Sequence, residues 1–517
     1  MKREEMIQGL DEEWDTLIIG GGATGLGAAV DSASRGLKTL LVEQSDFAKG
    51  SSSRSTKLIH GGLRYLQQGN FTLVLEALRE RGRLCQNAPH LIYHRPFFVP
   101  SYHWWEGPFY GIGLKVYDLL AGKLGIKTSK HLSKKETLEA LPNIEREGLR
   151  GGTLYYDGQF DDSRLAIALA QTAADHGASL LNYCRVTGLV KEKGQVHGAE
   201  IVDEETGQTH QVHAKVVINA TGVFSDEIRH LDQPTLPKIV QPSQGVHIVL
   251  DYTFLESDTA ILIPHTADGR VLFMVPWLGK VLVGTTDTPA PDPTLEPIPL
   301  EEEIDFILKE SAKYLAKDPK RSDILSVFAG LRPLIAPEDA EKKTAAISRD
   351  HSIIVSDSAL ITIAGGKWTT YRKMGEDVID KALLVGGFEE VPSITKTLKI
   401  HGWKDHIDPS DFWSSYGTDR EKVEMLIGED PAYGKLLHPD LPYLKGEVIW
   451  SAREEMARTV DDVLARRTRS LLLNAKAAIE AAPLVASLLA KELGKGSDWE
   501  KEQIRSFQEL AKHYALD

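Results

Sequence analysis

The sequence predicts an α/β protein made of a parallel-sheet nucleotide domain, an antiparallel-sheet domain and a helical C-terminal cap. Three observations indicate this fold class. A strand, a glycine-rich turn and a helix follow one another within residues 15–34. Short apolar segments separated by turn residues fill 247–288, as expected for antiparallel strands. After residue 390, apolar residues recur at helical spacing, as in "AREEMARTVDDVLARR" (452–467).

The composition bounds the class of protein. The chain has 517 residues, enough for two or three domains, and its net charge of −14 disfavours nucleic acid as a partner. With only Cys85 and Cys184, we expect a reducing compartment and neither a disulfide scaffold nor a cysteine-rich metal site, and we expect no metal. No apolar run approaches the ~18 residues of a membrane span, and the N-terminus lacks a signal-peptide pattern. We therefore expect a cytoplasmic protein, free or bound to a membrane surface.

The segment "DTLIIGGGATGLGAAVDSASRGLKTLLVEQ" (15–44) predicts a strand, a tight turn, a helix and a second strand. Gly20, Gly22 and Gly25 form a G-x-G-x-x-G pattern, whose bare backbone and helix N-terminus suit a pyrophosphate. The second strand ends at Glu43, where a carboxylate accepts the hydrogen bonds of an adenosine ribose. The pattern predicts a Rossmann-like dinucleotide site, and Glu43 disfavours NADP because it would clash with a 2′-phosphate.

Two further strand–glycine units favour FAD over NAD. One is "AKVVINATGVFSD" (214–226), in which a strand runs into Ala220, Thr221 and Gly222. The other is "ALITIAGGKWTTYRKMGEDVIDKAL" (359–383), in which Gly365 and Gly366 join a strand to a helix. Three such units converging on one cofactor, the first at the start of the chain, predict an FAD-binding domain.

The stretch "SSSRSTKLIHGG" (51–62), after the second strand, is rich in hydroxyl groups, cations and glycines. Hydroxyls and backbone N–H groups there can bind the pyrophosphate and the edge of the isoalloxazine ring, while small residues let the backbone pass flat beside the ring. The predicted cofactor contacts are Ser52, Ser53, Thr56, Lys57, His60, Gly61 and Gly62.

Several motifs together resemble the FAD-dependent glycerol-3-phosphate dehydrogenases, within the flavoproteins that include D-amino-acid and glycine oxidases. These motifs are "KLIHGGLRYL", "YYDGQFDDSRL", "GTTDT", "GLRPL", "SRDH" and "GGKWTTYRK", and the resemblance covers nearly the whole chain. It implies that sn-glycerol 3-phosphate is oxidised to dihydroxyacetone phosphate and that electrons pass from FAD to a membrane quinone. It also implies a location on the inner face of the cell membrane.

The resemblance further implies roles for the cations and for one histidine. It assigns Arg64, Tyr65 and Arg349 to the substrate phosphate, Arg332, Lys367 and His247 to the reacting carbon and its oxygen, and Thr369 to a smaller polar contact. Arginine suits a phosphate dianion because its planar fork donates two hydrogen bonds. His247 is the candidate general base, since its ordinary pKa lies near neutrality. A histidine in a strand such as "VHIV" can equally be structural.

We expect three domains. The FAD-binding domain comprises 1–85, 150–225 and 340–385; the substrate domain comprises 86–149 and 226–339; the helical cap comprises 390–517. Residues 102–131 combine aromatic residues, leucines and four lysines, a pattern typical of a monotopic membrane surface, although an ordinary buried helix pair would also fit it.

Three rival functions stay open at this point. An oxidase on the same scaffold would pass electrons to O2, and an amino-acid or amine oxidase would have one carboxylate-binding arginine. A non-catalytic FAD scaffold fits the set of cations poorly. The sequence leaves open whether the chain forms a homodimer and whether the flavin is covalently attached.

Overall fold

A computed structural model describes residues 2–62, 70–335, 351–405, 408 and 411–516. The α-helices are Arg3–Gln8, Ala23–Ser34, Phe71–Asn87, Glu106–Ala121, Lys134–Ala140, Asp162–Asp175, Ser225–Asp232, Glu301–Ala312, Tyr371–Gly386, Arg420–Glu429, Lys445–Glu454, Ser470–Leu473, Ala475–Leu493 and Ser497–Ala511. Asp462–Arg467 forms a π-helix. Across these described ranges, no helix is both long and apolar enough to span a bilayer.

The first sheet contains the predicted nucleotide-binding strands. Its main path runs in the order His351–Val355, Ile361–Gly365, Thr209–Asn219, Glu13–Ile19, Thr39–Val42, Ser179–Leu181. All neighbours on this path are parallel except the first pair, and Cys184–Glu192 and Gln195–Asp203 add an antiparallel hairpin beside Thr209–Asn219. Leu17, Ile18 and Leu41 are fully buried, as expected for parallel strands covered on both faces.

Among the described residues, the second sheet is antiparallel at every strand pair but one. Its strands are Leu58–Ile59, Ile92–Ser101, Lys130–Ser133, Gly151–Phe160, Val240–Asp251, Ala260–Ile263, Leu272–Trp277, Lys280–Gly284, Thr288–Pro289 and Ile324–Ile335. The parallel pair joins Ile92–Ser101 to Ala260–Ile263. The predicted fold class is confirmed: a Rossmann-like domain, an antiparallel-sheet domain and a helical C-terminal region.

Two strands depart from the predicted domain ranges. Leu58–Ile59 falls in the predicted range 1–85 of the FAD-binding domain, yet it pairs with Gly151–Phe160 in the second sheet. Gly151–Phe160 falls in the predicted range 150–225 of the FAD-binding domain, yet it pairs along its whole length with Ile92–Ser101 in the second sheet. The sequence of a single apolar strand does not indicate which sheet it joins, because pairing in the first or in the second sheet would bury the same residues. The chain therefore returns to the domain of the first sheet at the helix Asp162–Asp175, which packs against Ala23–Ser34.

Side chains of the strand Val240–Asp251 point alternately to the two faces of the second sheet, and each face contacts a different part of the protein. Ile248 and Leu250 point to one face and join a core with the helix Glu301–Ala312. Val249 points to the other face and packs against the cap, in a core shared with Phe328 and Val463. Because side chains alternate with a period of two, His247 lies on the same face as Val249.

Candidate active site

The glycine turn brings the ends of two strands into close contact. A Cβ atom added to Gly20 would lie 2.6 Å from the carbonyl oxygen of Ala220, and one added to Gly25 would lie 1.9 Å from that of Gly20. The backbone of Gly20 also has a φ of +112°. Only glycine therefore fits this strand–turn–helix without a shift of the backbone.

A cavity of about 360 Å³, the nucleotide cavity, opens beside this turn. The predicted residues that line it are Gly20, Gly22, Glu43, Ser52, Ala220, Thr221 and Gly222. The Glu43 carboxylate accepts hydrogen bonds from the backbone N–H of Gly21 (2.6 Å) and of Ser45 (2.9 Å), while burial raises its pKa. The Ser52 hydroxyl accepts from Ala23 N at 2.9 Å, so residues 51–57, which we call the serine loop, close over the helix N-terminus.

A second cavity of about 490 Å³, the reaction cavity, adjoins the first, and Ser51 and Pro333 line both. It brings together predicted residues from four separate stretches of the chain. These are Thr56, His60, Gly62, His247, Arg332, Gly365, Gly366, Lys367 and Thr369. The two cavities therefore lie side by side, one at the glycine turn and the other at the cations and His247.

His247 is a buried wall of the reaction cavity. Its side chain is 2% exposed, its ring stacks on Phe328 at 5.0 Å between centroids, and its Nε2 lies 2.9 Å from Thr56 Oγ1. Burial, together with the positive charges of Lys57 and Arg332, holds the pKa of His247 well below its ordinary value. The imidazole is therefore neutral near pH 7, which is the form that accepts a proton.

Arg332 is fixed by the strand ends around it. Its guanidinium donates to Thr285 Oγ1 at 3.1 Å and to the Thr286 carbonyl at 3.0 Å, and it lies 3.3 Å from an Asp287 carboxylate oxygen. A Cβ atom on Gly245 would approach one of its nitrogens to 2.4 Å, so this glycine makes room for it. The arginine plane is held in one orientation at the cavity wall.

Lys367 and Thr369 reach the cavity from the third strand–glycine unit. Lys367 follows Gly365 and Gly366, both of which have left-handed backbones with φ near +80°. Thr369 is buried, and its hydroxyl lies 3.5 Å from the His60 carbonyl. The unit is tied to the serine loop, since the indole of the intervening Trp368 donates to the Ser52 carbonyl at 2.8 Å.

Four predicted cofactor contacts line neither cavity: Gly25, Ser53, Lys57 and Gly61. The Lys57 side chain is directed into the protein, where its Nζ donates at 2.6 Å to the Ser53 carbonyl and to Asp162. A left-handed backbone at Lys57 (φ +63°) turns the chain there. The Lys57 side chain is thus engaged inside the protein rather than at either cavity, and its predicted contact with the cofactor stays a prediction. The predicted substrate residues Arg64, Tyr65 and Arg349 lie outside the described residues.

Sequence reasoning missed other side chains of the reaction cavity. Arg54 and Arg270 both line it, as do Thr285, Asp287 and Phe273. Arg54 is paired with Glu296, and Arg270 with Asp268. The motifs "GTTDT" and "ADGR" contain some of these residues at strand ends, so their positions offered a signal, but nothing in the sequence showed that they face the same space.

Comparisons with known proteins agree with this geometry. The model of the family described as "FAD dependent oxidoreductase" matches residues 15–372, and that described as "C-terminal domain of alpha-glycerophosphate oxidase" matches 378–504. The mitochondrial glycerol-3-phosphate dehydrogenases of Mus musculus and Homo sapiens are each 43% identical, over 96% of this chain and 72% of theirs.

Solved structures show the same similarity. The glycerol-3-phosphate dehydrogenase of Bacillus halodurans, solved in complex with FAD, matches 99% of this chain and 97% of its own, with a TM-score of 0.81 and 29% identity. An L-alpha-glycerophosphate oxidase from Mycoplasma pneumoniae, at 19% identity and a TM-score of 0.54, shares the fold. These findings confirm FAD as the cofactor and the family that the motifs indicated. The chain is an oxidoreductase that belongs to the family of FAD-dependent glycerol-3-phosphate dehydrogenases.

Proposed function

We propose that this protein oxidises sn-glycerol 3-phosphate to dihydroxyacetone phosphate and passes the electrons to a membrane quinone. The observation that carries the proposal is the reaction cavity, in which His247, Arg332, Lys367 and Thr369 line a single space joined to the nucleotide cavity. The names of the relatives at 43% identity support the same substrate.

The cavity offers what a small dianionic alcohol needs. Arg332 is preorganised by Thr285 and Thr286, so it can bind an anionic oxygen with little loss of side-chain freedom. Lys367 adds a second cation to the same cavity. Arg64 and Arg349 stay predictions for the phosphate. In the nucleotide cavity, Gly20, Gly22 and Glu43 would hold FAD.

Removal of the proton from the C2 hydroxyl is assigned to His247. Nε2 is the nitrogen that accepts it, because this atom lies at the Thr56 hydroxyl, which lines the cavity. The neighbouring charge of Arg332 stabilises negative charge that develops on the substrate oxygen before the proton is transferred. When bound, FAD supplies the acceptor for the hydride from C2.

Anaerobic titration with glycerol 3-phosphate tests the proposal directly. We expect the flavin absorbance to bleach in proportion to added substrate, with dihydroxyacetone phosphate formed in equal amount. Glycine and D-alanine serve as controls. Bleaching by either amino acid, with none by glycerol 3-phosphate, would replace the proposal with an amine or amino-acid oxidase.

The proposed acceptor requires contact with a bilayer, and the helix Glu106–Ala121 offers a surface for it. Apolar side chains at helical spacing form an exposed stripe, which we call the apolar stripe: Trp105, Phe109, Ile112, Val116 and Leu119. Trp104 beside it is 77% exposed. An exposed aromatic and aliphatic stripe of this size fits the headgroup region of one membrane face.

Two assays separate the acceptors. Flotation with anionic liposomes, at low and high salt, should carry the holoprotein upward, and failure at both salt concentrations contradicts a peripheral quinone reductase. One finding favours the oxidase alternative: the family whose model matches residues 378–504 is described as "C-terminal domain of alpha-glycerophosphate oxidase". Stoichiometric hydrogen peroxide from glycerol 3-phosphate in air, without acceleration by a soluble quinone, would support that alternative.

A further inference from the structure

Asp162, in the motif "YYDGQFDDSRL", connects two distant parts of the chain. It begins the helix Asp162–Asp175 and is fully buried. Its Oδ2 accepts hydrogen bonds from Ser55 N (3.1 Å), Ser55 Oγ (2.7 Å) and Lys57 Nζ (2.6 Å). Its Oδ1 accepts from Nη2 of Arg469, in the cap, at 2.9 Å. One carboxylate therefore holds the serine loop and the cap together.

Arg469 also contacts the serine loop directly. Its side chain is 1% exposed, and its Nη2 donates to the Ser53 carbonyl at 3.0 Å. The same carbonyl accepts from Lys57 Nζ at 2.6 Å. Within the cap, Nη1 donates to the Ala465 carbonyl at 2.9 Å, so the guanidinium is fixed from its own side as well.

These contacts anchor residues 53, 55 and 57 in succession; Ser53 and Lys57 line neither cavity, whereas Ser55 lines the reaction cavity. Thr56 lies between the anchors and lines the reaction cavity, with its hydroxyl 2.9 Å from His247 Nε2. A loop fixed at the residues on both sides of Thr56 leaves this hydroxyl little freedom to leave the histidine.

We propose that Arg469 is a positioning residue, through which the cap holds Thr56 against His247. The inference rests on the proposed function, since it takes His247 as the proton acceptor. It gives the cap a role in the reaction: a guanidinium more than 400 residues along the chain from Ser53 orients the hydroxyl at the catalytic histidine.

A double-mutant cycle on the FAD-loaded protein tests the proposal. We expect Arg469→Met and Thr56→Val each to lower kcat per bound flavin by about 10- to 100-fold, with KM changed by less than about threefold. If Arg469 acts through Thr56, the kcat of the double variant should be no lower than that of the more impaired single variant. If the two residues act independently, the two fold-losses of kcat should multiply. Thr56→Ser and Arg469→Lys should restore most of the activity.

Arg458→Met is the matched control. Arg458 is another cap arginine, paired through two nitrogens with Glu205 at 2.6 and 2.9 Å, and it makes no contact with the serine loop in the described structure. It should lower thermal stability but leave kcat within about twofold. An equal fall of kcat in both arginine variants would overturn the proposal, because the effect would then follow cap stability rather than position.

Two further variants distinguish a failure of the positioning role of Arg469 from a failure of the proposed function. If Arg469→Met yields no folded holoprotein, Ser55→Ala replaces it in the cycle, since it removes the hydroxyl that donates to Asp162 and accepts from Lys57 N but leaves every charge in place. Unchanged kcat in His247→Ala would refute the proposed role of His247. A strong loss in His247→Ala, with multiplied losses in the double variant, would refute only the positioning role of Arg469.

Discussion

His401 connects the FAD-binding domain to the cap through two carboxylates, and this contact should make stability depend on pH. Its Nδ1 lies 2.6 Å from Asp175, at the end of the helix Asp162–Asp175, and its Nε2 lies 2.7 Å from Asp419 in the cap. Burial opposes the charged form, but hydrogen bonds and charge from the two carboxylates outweigh burial and raise the pKa of His401 to about 9.

The direction of the pH effect follows from this shift. Because the folded state holds the proton more tightly than the unfolded chain, His401 stabilises the fold fully below pH ~6.5, and this stabilisation disappears as the pH rises through about 9. A shift of about 2.5 pH units corresponds to roughly 3 kcal/mol. The imidazole is 23% exposed and Asp175 is 56% exposed. Solvent screening therefore lowers the expected contribution to about 1–2 kcal/mol.

The assay compares thermal midpoints of the wild type and His401→Gln between pH 6 and 9.5. Both proteins contain all the other titratable groups, so the effect of those groups on the thermal midpoint cancels when the midpoint of the variant is subtracted from that of the wild type. We expect the wild type to be about 1–3 °C more stable at pH 6, with the gap narrowing above pH 7 and closing near pH 9.5. Asp175→Asn should move this narrowing to lower pH. A gap that stays constant over the whole range would refute the reasoning.

Four other perturbations test the site. Gly25→Ala should yield protein with little FAD, measured as the ratio of flavin to protein absorbance, because the new Cβ would lie 1.9 Å from the Gly20 carbonyl. His247→Ala should lower kcat by about 100-fold or more with FAD still bound, measured as quinone reduction per flavin. Arg64→Ala should raise KM for glycerol 3-phosphate without loss of FAD, and loss of FAD instead would mean that Arg64 is misassigned. Ile112→Asp should reduce flotation with liposomes while activity towards a soluble quinone stays unchanged.

The sequence predicted those parts of the site whose chemistry is local. At Gly20, Gly22 and Gly25 the spacing itself encodes the turn, and the strands ending at Asn219 and Gly365 could be placed beside it because the carboxyl ends of parallel strands meet at one sheet edge. The direction of a loop side chain is different, because it depends on partners far along the chain. Lys57 follows a serine-rich loop that suits phosphate, yet it pairs with Asp162, 105 residues later.

The buried charges where the cap meets residues 46–57 also bear on what the cap does. Removing a carboxylate or a guanidinium from water costs several kcal/mol per ion, and the attraction within a pair often only offsets this cost. Asp46, paired with Arg466 and Arg467, and Asp162, paired with Lys57 and Arg469, are all buried. The apolar contacts of the cap with the second sheet already hold it in place. Hydrogen-bonded ion pairs fix the orientation of the groups that they join, whereas apolar packing does not. We infer that these pairs set the orientation of the loop rather than how strongly the cap binds the rest of the protein.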